Sequence, residues 1–386
     1  MTLHSRLLDA LKGLDARVGV PAARALPAAR RALPDDPADV LFIRLWGLGN
    51  LALLAPLFAA AAPRRLRLLT LARNRDFVAA QFPELELLPL HEPHDPRAPA
   101  SLLLALRRLR RDPPDVVVDC EQFLRLPALL VRRACGAPIV GLDTPGQGRL
   151  PLLDRAVPHD PLRHAGDSFT ALCAAAGLPP GDASWRLRVP PGKAERLHLL
   201  LPPGDGPLVV LHPGSGDHFP GRRWPAARFA ELGAALVAEH GARLVVTGVH
   251  SERALATQVA RAAGGWNVCG RLDLGGLLAL LAEAQLLVSN DTGPVHLADR
   301  LDTPTVALYG PNTPWRYGPR LRGSVALFAD LPCSPCLDDR SMKRSSCRRY
   351  VCMEALTVAD VSQACRAALA AAAPARPGAR QHAATR

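Results

Sequence analysis

Two glycines and an alanine follow an early apolar run of the chain in the spacing of a dinucleotide-binding turn. Gly47, Gly49 and Ala52 occur in RLWGLGNLALLAPL, and the apolar residues on either side are typical of a buried strand and a helix. Asn50 occupies the tip of this turn. The same strand–turn–helix geometry serves other ligands, so the spacing alone leaves open whether this is a nicotinamide site.

A second loop combines small residues with arginine. In LHPGSGDHFPGRRWP, Ser215 and Gly216 carry little side-chain bulk, so their backbone N–H groups can approach an anion closely. Arg222 stands just before the next helix and can hold a phosphate through two parallel hydrogen bonds. An ordinary strand–loop–helix connection has the same composition, so this loop alone is not decisive.

Two further helix starts carry polar residues. In SNDTGPVHLA, Asp291, Thr292 and Gly293 precede a helix whose N-terminus favours a phosphate, although Thr292 also suits a plain N-cap. His296 lies one turn into that helix, where histidine is more often structural. Glu252 can accept hydrogen bonds from a ribose diol or simply complement its helix dipole. Taken together at strand ends, these loops predict a site for a sugar nucleotide.

Four cysteines form a separate cluster near the C-terminus. Cys333, Cys336, Cys347 and Cys352 have the spacing C-x2-C-x10-C-x4-C. This spacing suggests a structural metal bound by four thiolates, usually zinc. The alternative is a set of buried thiols in an arginine-rich loop.

Short apolar runs alternate with helical segments along most of the chain, which predicts parallel sheets with right-handed crossovers. The alternation is interrupted by a segment rich in proline and glycine between residues 179 and 207. We therefore expect two doubly wound, Rossmann-like α/β domains, at 37–190 and 205–370, that face a cleft. A leader at 1–36, helical or flexible, and a flexible tail at 371–386 complete the prediction.

The composition favours an anionic partner. Lysine and arginine number 47 against 35 acidic residues, a net charge of +12, whereas aromatic residues make up only 4%. So few stacking rings argue against a nucleic-acid partner. The first twenty residues are too interrupted by charge for a signal peptide, so we expect a cytoplasmic protein, with a leader helix lying on a membrane surface as the alternative.

The motifs RLWGLGNLALLAP, HPGSG…RRWP, SNDTGPVHLA, TVALYGP and CSPC…C…CM resemble those of the ADP-heptose:lipopolysaccharide heptosyltransferases. The resemblance extends over residues 40–368 and implies the GT-B fold of glycosyltransferases. It implies transfer of a sugar, heptose from an ADP-sugar, to a lipopolysaccharide-core or related cell-envelope acceptor. A protein acceptor of the autotransporter type, a sugar-nucleotide epimerase or hydrolase, and a sugar-nucleotide-binding protein that has lost catalysis are the alternatives.

The resemblance also assigns roles to residues. The turn with Gly47 and Gly49 belongs to the acceptor side, and Arg73 at the end of the second strand replaces the acidic residue that NAD requires. Glu252 would bind ribose and Asp291 the donor sugar. The set expected to bind the donor comprises Ser215, Gly216, Glu252, Asp291, Thr292, Gly293 and His296. Arg222, where the family usually has lysine, and the helix start at 292–293 would stabilise the leaving diphosphate.

The general base is where this chain departs from the family. The family usually has aspartate at the position of Asn50, and an amide cannot take up a proton at neutral pH. Asp119 and Glu121, in VVVDCEQF, end another strand of the same predicted sheet. We expect one of them to be the base, Glu121 in preference.

Partners and cofactors follow from the same resemblance. We expect a nucleotide-sugar donor and an anionic glycolipid acceptor for a cytoplasmic protein, with peripheral binding at the cytoplasmic face of the inner membrane as the alternative. We expect no cofactor to be required for the chemistry. Zinc or iron is expected only as a structural ion at the cysteine cluster.

Overall fold

The structure is a computed structural model, and it describes residues 12–25, 30–216 and 219–372. The predicted tail lies outside the described residues from position 373 onward, as do positions 1–11 and 26–29 of the predicted leader. The described part of the leader is helical. It forms a π-helical turn, Asp15–Gly19, followed by helix α1, Val20–Arg24.

The first half of the chain forms a six-stranded parallel sheet in the order β3-β2-β1-β4-β5-β6. Its strands are β1 Asp39–Ile43, β2 Arg65–Leu71, β3 Glu86–Leu90, β4 Val116–Asp119, β5 Ile139–Asp143 and β6 Arg155–Pro158. The central strands are continuous apolar runs because helices cover both faces of the sheet. The edge strands β3 and β6 are only partly buried, so they lack that apolar signal and were not predicted.

The second half forms another six-stranded parallel sheet, in the order β12-β11-β10-β7-β8-β9. Its strands are β7 Leu208–His212, β8 Arg243–Val246, β9 Trp266–Asn267, β10 Leu286–Asn290, β11 Thr305–Tyr309 and β12 Val325–Phe328. Strands β7, β10 and β11 are buried along their whole length. The two parallel sheets confirm the predicted α/β class.

Helices connect the strands and cover the sheets. In the first half they are α2 Leu48–Ala61, α3 Arg75–Gln81, α4 Ala98–Arg111, α5 Leu126–Cys135 and α6 Ala165–Ala175. In the second half they are α7 Lys193–His198, α8 Ala226–His240, α9 Arg253–Ala263, α10 Leu274–Glu283, α11 Gly293–Asp299, α12 Pro314–Tyr317, α13 Val351–Glu354 and α14 Val358–Ala372. Among the described helices, none is both long and apolar enough to cross a membrane.

The carboxyl ends of the central strands of both sheets lie where the two halves of the chain meet. Helix α2, which follows β1, packs against α11, which follows β10. Each of these helices begins directly after a strand, so the loops at their N-termini face one another. This arrangement places the loops singled out from the sequence around a common space, as expected for doubly wound sheets.

Candidate functional site

A cleft of about 1410 Å³ lies between the loops of the two sheets. Most of the residues predicted to act in binding or catalysis line it. From the first half of the chain these are Gly47, Gly49, Asn50 and Glu121, and from the second half Ser215, Gly216, Arg222, Glu252, Asp291, Thr292, Gly293 and His296. Asp119 and the four clustered cysteines are not among the lining residues.

Asp291 occupies the centre of the second-half wall. It follows β10 directly and is 5% exposed. The Asn312 side-chain amide donates to its Oδ2 at 2.8 Å, and Arg222 Nη1 donates to its backbone oxygen at 2.7 Å. The same Nη1 lies 3.5 Å from Oδ2. The carboxylate is therefore held by one amide and one guanidinium at the edge of the cleft.

Arg222 links two of the predicted loops. Besides Asp291, its Nη2 donates to the backbone oxygen of Ser215 at 2.8 Å. Its side chain is 22% exposed, and within the described residues its Nε has no hydrogen-bond partner. Because the guanidinium is fixed and its side chain is partly exposed at the wall of the cleft, its charge is suited to stabilise an anion bound there.

Glu252 hydrogen-bonds the loop with Ser215 and Gly216, which the sequence predicts to bind an anion. Its Oε1 accepts from the backbone N–H groups of Ser215 and Gly216, at 2.9 and 2.8 Å, and its Oε2 accepts from Val249 at 3.1 Å. Gly214 permits this approach, since a Cβ there would collide with the carboxylate. The two amides that the sequence predicts to contact a phosphate thus donate to Glu252.

The start of helix α11 presents backbone groups without a side-chain cap. Thr292 is at the N-cap position in an extended conformation, yet its side chain caps no N–H of the helix. Its Oγ1 instead lies 3.1 Å from Ser289 Oγ and donates to the backbone oxygen of Asn290 at 3.2 Å. Thr292 therefore is the N-cap residue, as the plainer alternative has it, but it caps without a side-chain hydrogen bond, and a positive helix end faces the cleft near Arg222.

The two carboxylates proposed as bases have different surroundings. Asp119 is fully buried, where its Oδ2 pairs with Arg149 at 2.6 Å and its Oδ1 accepts from the backbone N–H of Glu121 at 3.0 Å. Both carboxylate oxygens are engaged within the protein, and Asp119 does not line the cleft. Glu121 is therefore the better placed of the two carboxylates. Glu121 lines the cleft. Its Oε1 accepts from Leu45 N at 2.7 Å, and its Oε2 lies 3.8 Å from Arg44 Nη1.

Burial sets the proton affinity of Glu121. Loss of hydration raises the pKa of its carboxyl above the ordinary glutamate value, and the nearby Arg44 guanidinium offsets this only partly. Asn50, on the neighbouring turn, has a buried Oδ1 without a hydrogen-bond partner among the described residues. Glu121, whose carboxyl has a raised proton affinity, and Asn50 therefore both lie on the first-half side of the cleft.

The model of glycosyltransferase family 9 (heptosyltransferase) matches residues 103–345, well over half of the chain. The chain belongs to glycosyltransferase family 9. It is 33% identical over 239 residues to lipopolysaccharide heptosyltransferase 1 of Pseudomonas aeruginosa, covering 60% of this chain and 64% of that relative. The match thus spans slightly less than two thirds of the relative's length.

Solved structures confirm the GT-B fold of this family 9 protein. The Escherichia coli ADP-heptose lipopolysaccharide heptosyltransferase II superposes with a TM-score of 0.66 at 20% identity, covering 86% of this chain and 99% of that chain. The E. coli heptosyltransferase WaaC with ADP superposes with a TM-score of 0.63 at 19% identity, covering 85% and 99%. At such identities the likeness establishes the fold.

Gly49 is a point of close approach between the two halves of the family 9 protein. A Cβ at this position would lie 2.5 Å from Cδ2 of His296 and 3.2 Å from Cα of Gly293. Burial lowers the pKa of His296, so its ring is neutral and packs as an uncharged group. The glycine turn thus allows the loop after β1 to approach the start of helix α11 closely.

We expect Gly49→Ala to destabilise the protein by about 1–3 kcal/mol, because the added methyl group forces the two helix starts apart. Gly293→Ala is the matched control, since its Cβ would meet nothing closer than 3.6 Å. Urea unfolding of the two variants and the wild type measures the difference. Equal urea midpoints for Gly49→Ala and the wild type would contradict a close contact between Gly49 and His296.

The four clustered cysteines differ in burial, and a structural metal bound by them stays a prediction. Cys333 is exposed, Cys336 and Cys347 are partly buried and Cys352 is buried. In the part of the chain that the structure describes, no group of three or more His, Cys, Asp or Glu side chains is placed to hold a metal ion. Burial, together with the neighbouring thiols, raises the pKa of Cys352.

Sequence reasoning missed two residues of the second-half wall. Asn312 directly follows the TVALYGP motif, and no sequence pattern assigns it a role, although it hydrogen-bonds Asp291. Lys343 belongs to the arginine-rich loop of the cysteine cluster, yet it lines the cleft. Its position in the cysteine-rich segment gave no signal of this, because only the long-range fold brings that segment to the cleft.

Proposed function

We propose that this family 9 protein is a glycosyltransferase that moves heptose from ADP-heptose to a lipopolysaccharide-core acceptor. The observation that carries the proposal is the placement of Arg222 and Asp291 side by side at the wall of a cleft between the two halves of a GT-B fold. The relative from P. aeruginosa is named for this activity, and one of the structures that it resembles in fold contains ADP.

The roles of the donor-side residues follow from the charge that develops on the leaving diphosphate. In the transfer, the bond between the anomeric carbon and the diphosphate breaks, and its electron pair leaves with ADP. Negative charge then grows on the diphosphate, where the Arg222 guanidinium and the uncapped start of α11 stabilise it. In this proposal the chain itself supplies the positive charge at the leaving group. Asp291 accepts hydrogen bonds from the hydroxyl groups of the sugar.

The acceptor side requires a base. The acceptor hydroxyl oxygen forms the new bond to the anomeric carbon, and its proton passes to the Glu121 carboxylate. Glu121 supports this role by its place in the cleft and by its raised pKa, because a base whose pKa lies closer to neutrality holds the proton more effectively. Asn50 would position the acceptor hydroxyl by hydrogen bonding.

The exposed side chains of helix α4 bear on the kind of acceptor and on where the protein meets it. Helix α4 exposes Leu103, Leu104 and a series of arginines beside them. Basic side chains next to apolar ones favour contact with an anionic membrane surface. We therefore propose that the acceptor is an anionic glycolipid. The protein binds it as a peripheral protein at the cytoplasmic face of the inner membrane.

A direct assay tests the proposal. Purified protein is incubated with ADP-heptose and a lipopolysaccharide core that lacks heptose, and product is followed by mass spectrometry and by ADP release. We expect a gain of one heptose per acceptor with stoichiometric ADP. Parallel reactions with UDP-sugars, with a protein acceptor and without acceptor address the other enzymes considered from the sequence. Tight ADP-heptose binding with no product on any acceptor would indicate a binding protein.

A further inference from the structure

Lys343 reaches the cleft from the cysteine-rich segment. Its side chain is 21% exposed and its ammonium lies 4.8 Å from the centre of the Tyr317 ring. Met342 and Lys343 both have positive φ, 54° and 56°, a conformation that costs roughly 1–2 kcal/mol for residues other than glycine. The segment is therefore bent at a local cost, and the bend directs Lys343 inward.

The ammonium of Lys343 is surrounded by three acceptors. Nζ donates to Asn312 Oδ1 at 3.2 Å and to the backbone oxygen of Leu337 at 3.3 Å, and it pairs with Asp339 Oδ1 at 3.4 Å. Two of these contacts are hydrogen bonds and the third is an ion pair, so protein groups hold the ammonium on three sides. One of them, Asn312, connects Lys343 to Asp291.

Asp339 holds the ammonium in place. This carboxylate is almost fully buried and also accepts from His159 Nε2 at 2.9 Å and pairs with Arg316 Nε at 3.0 Å. Burial alone would lower the pKa of Lys343, but the Asp339 charge raises it above the ordinary lysine value. The pKa of Asp339 is lowered well below its usual range, because its cationic neighbours outweigh the effect of burial. Both groups are thus ionised at neutral pH.

The two neighbours of Asn312 determine which way its amide points. Lysine can only donate hydrogen bonds and an ionised carboxylate can only accept them. Asn312, between Lys343 and Asp291, must therefore turn its oxygen to the ammonium and its NH2 group to Asp291 Oδ2. With Lys343 removed, only Asp291 remains to orient the amide, so Asn312 is held less firmly.

We propose that Lys343 is a positioning residue of the donor site, which fixes the Asn312 amide so that Asp291 is held for the donor sugar. The inference rests on the proposed function for the sugar-binding role of Asp291. It gives the cysteine-rich segment a role in the donor site that needs no metal. Because Asp291 contacts the sugar and not the nucleotide in this scheme, the effect of Lys343 is confined to sugar-bearing ligands.

Calorimetric binding of ADP and of ADP-heptose to the full chain separates the possibilities. We expect Lys343→Met to weaken ADP-heptose binding on the order of tenfold, as for loss of a hydrogen bond to a charged group, and ADP binding less than about twofold. Lys343→Arg keeps the donor-only character and is expected to restore most of the affinity. Arg348→Met removes an exposed cation of the same segment and is expected to change neither value.

The relay through Asn312 is tested by combining variants. In an Asn312→Ser background, Lys343→Met is expected to cost no further ADP-heptose affinity, because the intermediary is already lost. Additive losses would overturn the relay, and so would equal losses for ADP and ADP-heptose. Lys343→Gln serves in the same comparison if Lys343→Met does not fold. A wild-type protein that binds ADP but not ADP-heptose would instead contradict the proposed function.

Discussion

Arg222→Ala is expected to lower kcat/KM for heptosyl transfer by about 10²–10³-fold, the loss typical of removing one preorganised donor from a developing anion. The guanidinium is held in place before any ligand arrives, through its bonds to the backbone oxygens of Asp291 and Ser215. The protein thus does not have to reorganise when charge leaves with the diphosphate. Initial rates of ADP release, with and without acceptor, measure the effect.

Two controls separate charge from loop structure. Arg222→Lys keeps the charge, with the residue that the family usually has there, so we expect it to retain activity within about tenfold of the wild type. Arg223→Ala removes bonds to Ser215 Oγ and the Gly216 oxygen, both 3.1 Å, but leaves the guanidinium of Arg222. If Arg223→Ala lost as much activity as Arg222→Ala, the cause would be a loosened loop. An unchanged rate in Arg222→Ala would contradict the role itself.

The strands that could be predicted from the sequence are those buried on both faces. β1, β4, β7 and β10 read as uninterrupted apolar runs, because helices cover the sheets on either side. β3 and β12 have no fully buried run: β3 contains Pro89, and every residue of β12 is partly exposed. Edge strands like these are specified by their pairing partners more than by their own composition.

The candidate site could be predicted where its residues follow strands directly. Asp291 and Arg222 lie in loops after β10 and β7, and adjacent parallel strands bring such loops together. The contact of Glu252 with the HPGSG loop could not be predicted, because this carboxylate lies 37 residues from Ser215, whose backbone N–H it accepts a hydrogen bond from. Lys343 depends on contacts still more distant, including His159 on the first half through Asp339. Long-range contacts of single side chains leave no local pattern.

Glu121→Gln is expected to lower kcat by about 10²–10⁴-fold, the range for loss of a general base. The amide keeps the size of the side chain and an oxygen that can accept from Leu45 N, so the loop after β4 retains its bond. What disappears is the ability to take up the acceptor proton. Single-turnover rates at saturating ADP-heptose measure the chemical step directly.

The pH dependence of kcat/KM tests the role of Glu121 as the base. A base must be ionised to act, and burial raises the pKa of Glu121. Wild-type kcat/KM is therefore expected to fall as the pH is lowered through that raised pKa, at a higher pH than the value of about 4.3 for an ordinary glutamate. Glu121→Gln is expected to lose this acid limb while its residual rate stays flat.

Asp119→Asn is the matched control, on the same strand end. Asparagine keeps the bond to Glu121 N but turns an amide toward the buried Arg149. An unpaired buried charge costs roughly 3–5 kcal/mol, so we expect lower stability with kcat close to the wild-type value and the acid limb intact. Should Asp119→Asn abolish the acid limb while Glu121→Gln leaves it in place, the base would be Asp119. A wild-type rate in Glu121→Gln, with its acid limb intact, would remove Glu121 as the base, and the proton would have to leave through another group lining the cleft.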